Sequence, residues 1–397
     1  MSEIKIKIPD AVAFIIDRMN STGFCAHVVG GAVRDSILGR ELGDFDINTD
    51  ALPEQTKAIF PEYKTIDTGI KHGTVSLVID SVPYEITTYR IDGEYKDNRH
   101  PESVLFTDKL AEDLKRRDFT INAMCYSPNT GLIDLFGGID DANAKIIRAV
   151  GDPRVRFSED ALRILRALRF SSVLDFDIES DTAEAAREKR NLLGDVSRER
   201  IYTEFKKLVM GNRPASVLTA YSEIFEVALD GFKIVNMPTD NVIGSFEYLT
   251  RLAAIFVLNS NTPDVDAERV LNSLKTDKFT RIATVAAILA YNKADFSTDN
   301  AILHLLFEYG SDTVSLALSI GRLLGKFGES EVSRYSELMK KKPVYRISEL
   351  DVGGNDILAL GIKGERVGDT LKELTLAVID GKCENKRDSL IGYIENK

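Results

Sequence analysis

Two acids flank one aromatic at Asp44-Phe45-Asp46, a dozen residues after the paired glycines that open GGAVRDSILGRELGDFDINTD at Gly30. On a β-strand, residues i and i+2 share a face. A strand over Asp44–Asn48 therefore projects both carboxylates side by side and turns Phe45 into the opposite layer. Carboxylates held that close repel unless a proton or a cation sits between them. Oxygen donors of this kind suit Mg²⁺, which takes one or two carboxylates and fills its shell with water and substrate phosphates. Two solvated acids on an edge strand would show the same tripeptide. Glu85 is an isolated acid between Tyr84 and Ile86. Facing inward, it adds a third carboxylate to a two-metal site that clamps attacking and leaving oxygens. Facing outward, it is an ordinary strand residue, and the pattern allows both.

The glycine pair Gly30-Gly31 follows an apolar run, Cys25–Val29, and precedes a short helical pattern, Ala32–Leu38. Such a turn offers backbone N–H groups to a phosphate, with a helix N-terminus behind them. Arg34, one turn in, can fork onto the same phosphate. The spacing matches neither G-x-x-x-x-G-K-[ST] nor G-x-G-x-x-G.

These groups need a sheet to hold them. Residues 10–22 carry apolar positions at helical spacing (Val12, Phe14, Ile15, Met19). Thr74–Ile79 and Tyr84–Tyr89 read as a β-hairpin turning near Asp80-Ser81, with Val, Ile and Thr where strands favour them. A polar loop, DGEYKDNRHPES, leads to a helix from about Thr107 into Arg117. Beyond Gly151 the periodicity is almost entirely helical, with breaks at Gly211–Pro214, Pro238, Thr262-Pro263 and Lys342-Pro343. No internal repeat, heptad array or low-complexity tract interrupts it.

The 397 residues exceed one compact core, and 44% hydrophobic with 28% charged residues is an ordinary globular composition. No apolar run approaches the roughly 20 residues of a membrane span. The N-terminus, acidic and amphipathic from the start, is neither signal nor transit peptide, so a cytoplasmic location is expected. Cys25, Cys125 and Cys383 are an odd, scattered set without metal spacing, expected to be buried free thiols. A net charge of −11 argues against a generic nucleic-acid coat and leaves a local basic path open. His304 stands alone on a helical segment, without the His-Asp pair of a phosphohydrolase appendage.

GGAVRDSILGRELGDFDINTD resembles the motif of the class II tRNA nucleotidyltransferases and bacterial poly(A) polymerases, within the polymerase-beta nucleotidyltransferase superfamily. TGIKHGTVSLVID and YEITTYR resemble that family's second and third catalytic strands and place Glu85 where a third acid is expected. The loop DGEYKDNRHPESVLF is similar to the one these enzymes use in switching from C to A addition, and its length counts against a CC-only enzyme. LKRRDFTINAM resembles the ribose-recognition motif; the resemblance implies that Arg117 and Asp118 contact the nucleotide, Asp118 accepting from a ribose hydroxyl. VSRERIYTEFKKLVMG resembles the neck motif, and the segment from Gly354 onward a tRNA-binding tail.

SEDALRILRALRF (Ser158–Phe170) reads as one helix, with Ser158 at the N-cap and Glu159 and Asp160 in the first turn. Asp160, Arg163, Arg166 and Arg169 recur every three positions among apolar residues, so the row winds by about 60° per step around a helix of 3.6 residues per turn. The pattern is a buried helix with one polar groove, although Glu159–Arg163 at i,i+4 is also plain helix support. Cytosine and adenine both present an exocyclic amine beside a ring-nitrogen acceptor, which a carboxylate and a guanidinium can pair. Uracil and guanine reverse that pattern and would leave both protein groups mispaired, at about 1–3 kcal/mol for each buried group. By the resemblance, Asp160 and Arg163 are the amino-acid template for the incoming base, and Arg166 and Arg169 bind nucleotide.

The expected architecture is an α+β nucleotidyltransferase head with a small mixed sheet, followed by all-α segments. The head spans 1–150, a neck with the base-selecting helix 151–214, a helical body 215–335 and a tRNA-binding tail 336–397. The implied activity is template-independent addition of CCA to the 3′ end of tRNA from CTP and ATP, releasing pyrophosphate. Two Mg²⁺ ions would sit on Asp44 and Asp46, with Gly30, Gly31, Arg34 and Arg117 on triphosphate and sugar. The body and tail would hold the acceptor–T arm, a role the KKKP segment (Lys340–Pro343) favours. A-adding, CC-adding and poly(A) enzymes share most of these residues. An RNA-binding relic without activity and a small-molecule nucleotidyltransferase are the readings from other classes.

Overall fold

A computed structural model describes residues 6–67, 69–93 and 104–396. The chain forms two compact units, Met1–Lys233 and Ile234–Lys397. Most of the loop Asp92–Pro101 singled out from the sequence lies outside the described residues.

The first unit opens with helix α1 (Asp10–Ser21), where Val12, Ile15 and Met19 are buried as their spacing predicts, but Phe14 is exposed and Ile16 takes the fourth place in the stripe. Strand β1 (Ala26–Val29) ends at Gly30, and α2 (Gly31–Ile37) follows. Next come β2 (Asp46–Thr49), α3 (Pro53–Ile59), β3 (Lys64–Ile66), β4 (Thr74–Ile79) and β5 (Val82–Thr88). The β4–β5 turn is the two-residue kind that needs positive φ at both centres, met by Asp80 (49°) and Ser81 (67°). After β6 (Arg90–Asp92), β7 (Val104–Phe106) and α4 (Leu110–Lys115), strands β8 (Met124–Ser127) and β9 (Gly131–Asp134) complete the sheet. Its order is β3-β4-β5-β2-β1-β8-β9. Every neighbour pair in it is antiparallel except β2 with β5.

One face of this sheet packs on α1 through Val28, Ile47 and Ile86, and Phe45 joins that core as its alternation predicts. The other face carries His27 and Val29, and Val29 packs with Leu114 of α4 and Cys125. Asp46 and Asn48 share that second face by alternation with Ile47.

Three sequence expectations need correction. Asp44 is not part of the strand. β1 reaches only the pairing Val29↔Asp46 before Gly30 turns away, which leaves no ladder partner for Asp44. Helix α4 is shorter than Thr107–Arg117, because Thr107 Oγ1 accepts the Lys109 N–H (3.2 Å) and holds that stretch as a turn. Ser158 does not start a helix. After α5 (Gly138–Ala144) and the short strand β10 (Ile146–Ile147), helix α6 (Pro153–Glu159) begins on Asp152, whose side chain accepts the Arg154 N–H at 2.8 Å, with Pro153 at the first helical position. Ser158 lies in its last turn. Asp160 then breaks the helix with extended backbone (φ −138°, ψ 102°), and α7 (Leu162–Leu174) follows. Strand β11 (Asp177–Ile178) pairs with β10, α8 (Ser180–Lys189) packs against α6, and α9 (Arg198–Val209) packs against α7.

The second unit is helical throughout its described residues, ten α-helices between Asp240 and Glu395. One core gathers Phe296, Ile302, Leu306 and Leu338, another Leu371, Leu374 and Leu390. His304 does not stand alone, as expected from sequence: Nε2 lies 2.9 Å from Asp380 Oδ1, a residue 76 positions on that also pairs with Lys382. No described helix is long and apolar enough to cross a membrane. The cysteines are free, but only Cys125 is buried; Cys25 is exposed and Cys383 half-buried.

Candidate active site

The parallel register Ile47↔Ile86 sets Asp46 beside Glu85, each one residue upstream, so Glu85 faces the same side as Asp46. Asp44, Asp46 and Glu85 line one open cleft of about 470 Å³. A second, of about 180 Å³, joins Asp46 and Glu85 to Arg116 and Arg117. Burial, then Glu85 and Asp44, push the Asp46 carboxyl above its ordinary value, while Arg117 pulls it down. Among the described residues no three ligating side chains are already gathered into a metal cage. The donor set still fits a divalent ion that takes one or two carboxylates and completes its shell from water and phosphate. A cation would relieve the repulsion that raises Asp46.

The glycine turn is less open than its sequence implies. Gly30 adopts φ 76° and ψ −126°, and its N–H is already donated to Met124 O at 3.2 Å, continuing the β1–β8 ladder. The first helical bond of α2 is Arg34 N–H to Gly30 O, so the N–H groups that precede it are those of Gly31, Ala32 and Val33. Arg117 Nη1 stands 3.3 Å from where a Gly30 Cβ would lie. Arg34 is buried, and its fork is taken by its neighbour: Nε and Nη2 donate to Asp35 at 3.0 and 2.8 Å, and Nη1 to Asn122 Oδ1 at 2.6 Å. Only its remaining Nη hydrogens are left for a phosphate.

Asp118 accepts from the Phe119 N–H (2.8 Å), Asn122 Nδ2 (3.0 Å) and Arg166 Nε (2.8 Å), with a further short bond from Arg166 Nη2. Burial opposes its charge, but Arg166 and Asn122 outweigh that and hold its carboxyl well below the usual range. Four donors fill a carboxylate, so a ribose hydroxyl must displace one of them. Arg34, Arg166 and Arg169 all stack on Phe170, their guanidinium carbons 5.1, 5.5 and 3.8 Å from the ring centre. Burial pulls Arg169 below its ordinary value against the pull of Glu204, whose Oε2 lies 2.5 Å from Nε; Arg166 and Arg34 add repulsion. Each of the three also holds a carboxylate, Arg34 with Asp35, Arg166 with Asp118 and Arg169 with Glu204, so a polyanion would have to compete with these partners for the guanidinium groups.

The structure does not pair Asp160 with Arg163. Asp160 Oδ1 accepts the Leu162 N–H (3.1 Å) and Oδ2 accepts Arg200 Nη2 (2.9 Å). Arg163, 8% exposed, donates from Nη1 to Glu159 Oε2 (2.6 Å) and Arg156 O (3.2 Å), and from Nη2 to Arg116 O (3.0 Å). Its Nε–H and one Nη2–H are left over. Arg116 therefore lines the cleft of Asp46 and Glu85 while its carbonyl holds Arg163.

Residues 26–148 match the family model described as the poly A polymerase head domain, and residues 245–394 match tRNA nucleotidyltransferase domain 2 (putative). Residues 175–223 match the probable RNA and SrmB-binding site of polymerase A. A CCA-adding enzyme of Enterococcus faecalis is 36% identical over 395 residues, 96% of this chain and 95% of its own. The chain belongs to the CCA-adding enzyme family of tRNA nucleotidyltransferases. A second CCA-adding enzyme, from Leuconostoc citreum, is 37% identical over 96% of this chain and 94% of its own. The Bacillus stearothermophilus CCA-adding enzyme, solved in complex with CTP, superposes with a TM-score of 0.79 at 33% identity, over 98% of both chains. The Thermotoga maritima CCA-adding enzyme complexed with tRNA, 20% identical, shares the fold at a TM-score of 0.67. Metal dependence is general to nucleotidyltransferases of this family.

The predicted site residues are held by other side chains that the sequence reading passed over. Asp113, Asn122, Arg200 and Glu204 each pair with a predicted site residue (Arg117, Arg34, Asp160 and Arg169), and Asn48 bonds Asp113. Two had a visible trace. Asn48 falls two residues after Asp46 on the same strand face, and Asp113 precedes Arg116 and Arg117 by three and four residues, the spacing of helical ion pairs. Both arginines are largely buried, their side chains 18% and 19% exposed.

Proposed function

We propose that this chain adds C, C and A to the 3′ end of tRNA from CTP and ATP, without a nucleic-acid template and with release of pyrophosphate. Likeness along its whole length to enzymes named for that activity, one of them solved with CTP, carries the reading. Asp44 and Asp46, with Glu85 beside them, hold two Mg²⁺ ions, which when bound lower the pKa of the primer 3′-hydroxyl and balance charge on the departing pyrophosphate. The N–H groups of Gly31, Ala32 and Val33, after the Gly30 turn, receive the triphosphate together with Arg34 and Arg117. Arg166 and Arg169 add charge around Phe170, and Asp118 meets the sugar. Asp160 accepts the exocyclic amine of cytosine or adenine while the spare N–H groups of Arg163 donate to the ring nitrogen. Uracil and guanine turn both contacts into mismatches.

Residues 1–150 serve as the catalytic head, 151–214 as the neck, and 215–335 and 336–397 as the body and tail that grip the acceptor–T arm by shape and backbone contacts. The cytoplasm is the setting this chemistry suits. The test uses three tRNAs, lacking all three terminal nucleotides, lacking only the last, and complete, each with Mg²⁺ and one nucleotide at a time. C joins the first, A the second, and nothing the third. Failure to add C to the shortest tRNA, or poly(A) growth on the complete one, refutes the reading.

A further inference from the structure

Among the described residues of this region, Asp113 is the one carboxylate with no exposed surface, 0% by side chain, and so it cannot touch a nucleotide. All its acceptor capacity is spent inside the protein. Oδ1 takes Arg116 Nε and Nη2 at 2.9 and 2.7 Å; Oδ2 takes Asn48 Nδ2 at 3.1 Å and Arg117 Nη2 at 3.3 Å. Each partner leads to a different part of the site. Asn48 lies on β2 two residues beyond Asp46. Arg117 packs over Gly30. Arg116 offers its carbonyl to Arg163 Nη2 at 3.0 Å.

A buried ion group is a poor device for stability alone, since the cost of desolvating charges offsets their attraction, and apolar packing would serve as well. It is a good device for fixing directions, because a carboxylate saturated by four donors allows none of them to rotate away. Resting on the proposed function, we infer that Asp113 is a positioning residue that couples the grip on the triphosphate to the choice of base. It pins Arg117 against the Gly30 turn and, through Arg116, sets the carbonyl that orients Arg163. Loosening this one side chain disturbs both functions together, although it contacts neither ligand.

The test is Asp113→Asn in the full chain, which keeps the shape but removes the charge and presents N–H groups where an arginine donates. Dissociation constants for CTP, ATP, UTP and GTP with Mg²⁺ are measured by calorimetry on variant and wild type. The expected result is about tenfold weaker binding of UTP and GTP, through the shared triphosphate, and a further tenfold loss for CTP and ATP, so that the preference for CTP over UTP and for ATP over GTP falls by about tenfold. A lower melting temperature and a smaller binding-competent fraction, with unchanged constants and preferences, would reduce Asp113 to a structural role and overturn the proposal. Should Asp113→Asn not fold, Arg116→Lys takes its place, since one ammonium cannot reproduce the guanidinium fork. It is expected to relax base preference about threefold, and an unchanged preference overturns the proposal equally. Because binding is read without tRNA, a wild type that binds nucleotides but fails to extend tRNA strikes the proposed function and leaves the preference ratio to judge Asp113. A wild type that binds none of the four overturns both.

Discussion

Gly30→Ala is the most direct test of how the head holds its phosphate turn. At φ 76° and ψ −126°, Gly30 occupies backbone space closed to side chains, so alanine costs about 1–3 kcal/mol of strain. For a domain of this size, each kcal/mol lowers the melting temperature by about 2–4 °C. The new Cβ also meets Arg117 Nη1 at 3.3 Å, tighter than an ordinary contact, with Asn122 O behind it at 3.8 Å. Asn122 O is backbone, so the arginine end is what must give, away from the turn and against its 3.3 Å bond to Asp113. The KM for CTP and for ATP should therefore rise together, by several fold, because the triphosphate is common to both. The C-and-A preference should survive, since Arg163 is held through the Arg116 carbonyl and Glu159, which Gly30 does not touch. Scanning calorimetry with steady-state addition to tRNA reads all three quantities. An unchanged melting temperature with unchanged KM values would refute the reasoning, and so would a KM change confined to one nucleotide.

Asp46→Asn should abolish nucleotide incorporation yet raise the melting temperature of the chelator-treated protein at neutral pH. The folded state holds the Asp46 carboxyl above its ordinary value, so its charge opposes folding at high pH, and the advantage of the variant should vanish as pH falls through the unfolded carboxylate range; calorimetry with EDTA across pH shows whether it does. Asp160→Asn replaces one acceptor with a donor, so UTP incorporation relative to CTP should increase by about tenfold in single-nucleotide assays. With a maleimide and mass-spectrometric readout, Cys25 should label readily in the folded protein. Cys125 should stay unmodified until denaturation, its thiol being closed off and pushed up to about 12 by burial.

The features legible in the sequence are those written in local periodicity. The α1 stripe, the β4–β5 hairpin with its Asp80-Ser81 turn, and the inward Phe45 all follow from spacings of two or about 3.6 residues. The carboxylate trio was half legible: Asp46 and Glu85 share a face, but deciding that Glu85 looks inward needed the parallel pairing of β2 with β5, which no local pattern encodes. Ser158 has the right chemistry for a cap, but Asp152-Pro153 starts α6 earlier and the extended backbone at Asp160 separates it from α7, a break that the apolar periodicity does not show. What remained hidden were the partners across the fold. Asn122 reaches Arg34 over 88 positions, Asn48 reaches Asp113 over 65, and Arg200 reaches Asp160 over 40. Such bonds depend on which elements become neighbours, and a single chain's spacing is silent about that.

The three arginines around Phe170 also bear on how a nucleotide arrives. The chain carries a net charge of −11, so at long range it repels the triphosphate that it must capture. Attraction can begin only within about 10 Å at 0.1 M salt, where a triphosphate competes for arginines already paired with Asp35, Asp118 and Glu204. Added salt weakens the distant repulsion and the near attraction together. The rate of nucleotide capture should therefore stay nearly flat with ionic strength while the time each nucleotide stays bound shortens. Under the proposed reaction, departure of pyrophosphate returns each arginine to its own carboxylate, Asp35, Asp118 or Glu204, so the pocket is reset for the next nucleotide by an exchange of ion-pair partners.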